Sequence, residues 1–131
     1  MTEISVEDVV FCEGFRNEVG GKHTLLGVSA PEINIFQLPA IVSCAIWISG
    51  RPSATGPFKL EFRARDEAGQ ELIKGTLGGE TFDPGLIAIP IGPFPLNIEK
   101  QGDVVFEWCF DNVNWKTIGT LKINQKPTQP I

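Results

Sequence analysis

The chain has 131 residues, a length that fits one domain with a core large enough to need neither metal nor disulfide staples. Apolar residues make up 42% of it, which excludes a disordered chain. Eleven basic residues against sixteen acidic ones leave a formal charge of −5, and the basic ones are scattered from Arg16 to Lys126, which speaks against binding of nucleic acid.

The three cysteines, Cys12, Cys44 and Cys109, lie far apart among apolar neighbours. An odd count cannot form a fully paired disulfide set, and a thiol in such surroundings serves as a small hydrophobe. No secretory apolar region follows Met1 and no run is long enough to span a bilayer, so the chain reads as cytoplasmic and not bound to membrane.

In chain order, strands are expected at 6–15, 24–29, 40–49, 58–65, 71–76, a weaker one at 86–91, then 94–99 together with 104–110, and 115–123. Fourteen glycines and ten prolines interrupt the chain too often for a long helix. Between the first two strands runs Asn17-Glu18-Val19-Gly20-Gly21-Lys22, followed by His23, the one histidine. A phosphate loop needs glycine, four residues, Gly-Lys and then a hydroxyl. Arg16 stands where that first glycine belongs and His23 where the hydroxyl belongs, so the segment reads as a hairpin turn with an exposed His23.

Pro31 to Pro39 is unusually apolar for a connection, and Ile33, Phe36 and Leu38 either fold over a sheet edge or contact a partner. Residues 42–48 are apolar on both faces apart from Ser43, the pattern of a central or covered strand. In 58–65 the even positions Phe58, Leu60, Phe62 and Ala64 are apolar, and Lys59, Arg63 and Arg65 project together from the other face. That stripe is the candidate site for a small anionic ligand or an acidic protein patch, with pairing to Glu71 as the structural alternative. Asp66-Glu67-Ala68-Gly69 has the chemistry of a hairpin turn. Pro90, Pro93 and Pro95 belong at an edge or bend, and Phe82, Ile91 and Phe94 beside them are candidates for a contact surface.

Val104, Phe106, Trp108 and Phe110 alternate onto one face, which places Glu107 on the opposite, wet one. Asp111 to Asn114 turns the chain back, and residues 127–131 form a short polar tail after a single domain spanning 1–126. The fold expected is an all-β, two-sheet antiparallel sandwich of seven or eight strands, with a small barrel as the alternative. Neither a catalytic constellation, nor a metal-ligand spacing, nor a cofactor motif stands out.

Val9-Val10-Phe11-Cys12-Glu13-Gly14-Phe15, Leu25-Leu26-Gly27-Val28-Ser29 and Leu38-Pro39 resemble a bacterial family of small β-sandwich proteins. Leu60-Glu61-Phe62, Asp66-Glu67-Ala68-Gly69 and Phe94-Pro95-Leu96 fit the same pattern. That family is functionally uncharacterised, so the resemblance implies the sandwich and no catalytic or binding residue. The function expected is therefore a non-enzymatic binding or protein-interaction module, acting with a protein partner or by self-association. A binder of a small anion is the alternative, and a hydrolase built around His23 the third.

Overall fold

Side chains recurring at every second position put one face of a strand on a core and the other in water. A computed structural model describes residues 2–81 and 85–126, and these form ten strands and no helix. The strands are β1 (Ile4–Cys12), β2 (Gly14–Asn17), β3 (His23–Leu26), β4 (Glu32–Ile35), β5 (Ala40–Pro52), β6 (Gly56–Arg65), β7 (Glu71–Thr81), β8 (Ile87–Ile98), β9 (Gly102–Cys109) and β10 (Lys116–Gln125). One sheet has the order β1-β5-β8 and another β4-β10-β9-β6-β7, while β2 and β3 form a small third sheet. None closes into a barrel, and the expected sandwich stands, with one more small sheet than foreseen.

The core lies between the two larger sheets. Phe11, Ile46, Ile48, Phe94 and Leu96 from the three-stranded sheet meet Leu60, Phe106, Trp108, Leu121 and Ile123 from the five-stranded one. Phe106 bridges the layers, with ring centroids 5.3 Å from Phe11 and 6.4 Å from Phe94. Phe58 and Phe62 are only half-buried, because each lies over a glycine of β7, Gly79 and Gly75, directly opposite in register.

Three strands change which positions face inward, and each does so at a break in register. In β1 the inward set passes from Ile4 to Phe11 across an irregularity at Glu7. In β8 it passes from Ile89 and Ile91 to Phe94, Leu96 and Ile98 across Gly92-Pro93. In β10 it passes from Ile118 to Leu121 and Ile123. One extra residue opposite the partner strand restores the phase, which is what a β-bulge does. The separate strands expected at 86–91 and 94–99 are thus the single strand β8, and its prolines sit on a sheet edge as expected.

The run 31–39 is not merely a connection. Its Glu32–Ile35 segment is β4, paired parallel to β10 at the edge of the five-stranded sheet. Residues 17–22 do make the expected turn: Gly20 and Gly21 take φ values of +83° and +73°, and the Glu18 N–H donates to the Lys22 carbonyl at 2.7 Å. The resulting β2–β3 hairpin lies against β5 and β8, which is why β5 is apolar on both faces. The tail expected at 127–131 lies outside the described residues.

Candidate functional site

The outer face of the five-stranded sheet gathers charge that the sequence spreads over more than forty positions. Antiparallel pairing of β6 with β9 sets Arg63 opposite Glu107, and pairing of β6 with β7 sets Arg63 opposite Lys74. Glu107 Oε1 accepts the Nε–H of Arg63 at 3.0 Å and that of Arg65 at 2.9 Å. Its side chain is only 10% exposed, so the expectation of a wet Glu107 is overturned. Two guanidiniums at hydrogen-bond distance make the burial of this carboxylate tolerable.

Trp115 completes the group. It follows the β9–β10 turn and lies beside Arg63, whose Cζ is 3.9 Å from the ring centre, with Lys74 Nζ 6.0 Å away. That is cation–π geometry, in which the ring face attracts the cation. Lys74 also reaches Glu61 at 3.6 Å. Exposed Lys59 lies on the same side of β6, and Glu71 and Glu80, opposite Arg65 and Pro57, add two carboxylates to this face towards its ends.

The turn that delivers Trp115 is built by Asp111. Its Oδ1 accepts from Asn114 N at 2.7 Å, Val113 N at 2.9 Å and Cys109 Sγ at 3.2 Å, and Asn112 takes a positive φ of 64°. Donation from the Asn114 backbone first, then from Val113, the Asn114 amide and Cys109, holds the Asp111 carboxyl well below its ordinary value of 3.8.

The sequence candidates divide. Arg63 and Arg65 come together but are tied by Glu107, not by Glu71, although Glu71 lies opposite Arg65. Lys59 stays exposed. Ile91 (2% exposed) and Phe94 (8%) are core residues, because the register of β8 turns both inward, and this corrects their reading as a contact surface. Ile33 and Leu38 are half-buried against the core, whereas Phe36 is 46% exposed. Phe82 lies outside the described residues.

His23 is not an exposed turn residue. It is half-buried, and its Nδ1 accepts the indole N–H of Trp47 at 3.3 Å, with the Phe15 ring 6.5 Å away. The bond from Trp47 pins the hairpin to β5, and neither neighbour is the hydroxyl or carboxylate that a hydrolase would need there. All three cysteines are buried. Desolvation, with Cys12 nearby, pushes the Cys44 thiol up to about 12, and burial raises that of Cys12, the opposite of activation. Among the described residues no group of His, Cys, Asp or Glu is placed to hold a metal.

A cleft of about 290 Å³ at one end of the sandwich is lined by Asp66, Glu67, Glu71, Glu99 and Asp103, with Lys100. Two of its carboxylates are spent on backbone: Asp66 accepts from Gln70 N, and Glu67 from Asp103 N. Trp115 and the burial of Glu107 escaped sequence reasoning. A charged residue between Phe106 and Trp108, in a chain with two arginines spaced by two, was the available signal. Comparison with protein-family models and with curated proteins found no match, so the site rests on its own geometry.

Proposed function

We propose that the protein is a non-enzymatic interaction module that takes an acidic protein partner on the outer face of its five-stranded sheet, centred on Trp115, Arg63 and Arg65. One observation carries the reading: Arg63 lies against Trp115 at 3.9 Å while its Nε is held by buried Glu107. Tryptophan and arginine dominate the energetics of protein interfaces, and side chains already fixed lose less entropy on binding. The cations next to the ring, Arg63 and Lys74, select an acidic patch on the partner. Affinity capture with the wild-type chain should retain a partner that Trp115→Ala releases, with the fold intact by circular dichroism. Capture of nothing by the wild type, or equal capture by the variant, would overturn the proposal.

Three cations on one side of β6 favour a second reading, a small anionic ligand held by Lys59, Arg63 and Arg65. Such an anion competes with Glu107 for both guanidiniums, which makes it the weaker reading. Native mass spectrometry with added phosphate and nucleoside triphosphate separates the two, since only the second predicts a stoichiometric adduct.

A further inference from the structure

The two main sheets end in four edge strands: β1 and β8 on one, β4 and β7 on the other. An unpaired edge is a template for a strand from another chain, and proteins blunt it by shortness, bulges, charge or proline. Three of the four are blunted. β4 has four residues, β1 is broken in register at Glu7 beside Asp8, and β8 carries Pro90, Pro93 and Pro95. β7 has eleven residues and no proline, and its only irregularity is at Leu72, near its start. From Ile73 to Thr81 it runs regularly against β6.

We propose that β7 pairs antiparallel with β7 of a second copy of this chain, about a two-fold axis through Leu77. The charges select the register. Lys74 and Glu80 lie opposite Arg63 and Pro57 of β6, which places both on the outer face of the sheet. Centring on Leu77 sets Lys74 opposite the partner's Glu80 and Glu80 opposite the partner's Lys74, two ion pairs from one strand. Leu77 is half-buried on the core side, opposite Leu60, and meets its own copy at the axis. Gly75 and Gly78 then stand opposite Gly79 and Thr76, so nothing bulky opposes the approach. Lys74, with its side chain 51% exposed, has a stem long enough to serve Glu61 and the new carboxylate together. The outcome is one continuous sheet of ten strands with both Trp115 faces on the same side.

Sedimentation velocity on the full chain over a concentration series tests this directly. The wild type should show a reversible monomer–dimer equilibrium. Lys74→Glu and Glu80→Lys should each weaken it about tenfold or more, because like charges then oppose one another twice. The double variant, or an equimolar mixture of the two single variants, should restore it. A wild type that stays monomeric to its solubility limit, or single variants that dimerise unchanged, would overturn the proposal. Amide exchange in the wild type gives an answer free of any variant: protection of residues 73–81 should rise with protein concentration, and constant protection would count against pairing. The inference does not depend on the Trp115 face, since Trp115→Ala should leave the dimer intact whether or not it abolishes partner capture.

Discussion

Glu107 stands directly opposite Arg63 across β9 and β6, and its Oε1 accepts the Nε–H of Arg63 at 3.0 Å while also holding Arg65 at 2.9 Å. Removing this carboxylate leaves two cations side by side with their counter-charge gone. Glu107→Ala should lower the unfolding free energy by about 2–3 kcal/mol, below the full cost for a wholly buried pair because Arg65 is partly open to solvent. Urea unfolding measures it. A loss under about 0.5 kcal/mol would reduce the cluster to ordinary surface ion pairs.

Gly50 leaves space that Ile4 fills. A Cβ at that position would lie 2.4 Å from Ile4 Cγ2 and 3.1 Å from the Ser5 carbonyl oxygen. Ile4 is buried and stiff at χ1, so Gly50→Ala should destabilise by about 1–3 kcal/mol through overpacking. Combined with Ile4→Ala, the loss should fall short of the sum of the single losses, because the second change removes the clash. Strict additivity in thermal melts would show that the two sites do not touch.

The Trp47 indole N–H reaches His23 Nδ1 at 3.3 Å and ties the β2–β3 hairpin to β5. His23→Ala and Trp47→Phe should each cost about 0.5–1.5 kcal/mol, and the pair together little more than one alone. The effect should be local: the Glu18 amide, bonded to the Lys22 carbonyl, should exchange faster while amides of β9 keep their protection. Equal acceleration in both places would mean that the hairpin is an integral part of the core.

Asp111 makes acid stability readable at one turn. Its carboxyl is depressed in the folded chain, chiefly by the Asn114 and Val113 amides. The stabilisation is complete above the ordinary value of 3.8 and is shed as the pH falls below it, since the unfolded chain then takes up a proton that the folded one resists. Asp111→Asn should therefore flatten the decline of Tm on the acid side. Parallel curves for the variant and the wild type would assign the decline to other groups.

Much of the scaffold was legible in the residues. Alternation in 58–65 and 104–110 placed Leu60, Ala64, Phe106 and Trp108 inside, and Gly20-Gly21 and Asp66-Glu67-Ala68-Gly69 marked turns that the chain makes. The single strand β8 was also written there, as a change of phase from Ile89 and Ile91 to Phe94, Leu96 and Ile98. Its continuity is hidden at Gly92-Pro93, because a glycine followed by a proline marks a bend between two strands as readily as a bulge within one. β4 left no comparable signal, because a four-residue strand that pairs in parallel depends on where β10 lies.

By itself the sequence determined the class of structure and the sites of reversal, because a period of two and glycine's tolerance of positive φ act within a few residues. Only the tertiary structure decided which charges meet. Arg63 and Glu107 are 44 positions apart, and strand register alone turns a scattered set of basic residues into a cluster held by one carboxylate beside Trp115. Register is chosen by burial of the whole inner face at once, so what stands on the outer face follows from a collective choice that no short stretch of chain contains.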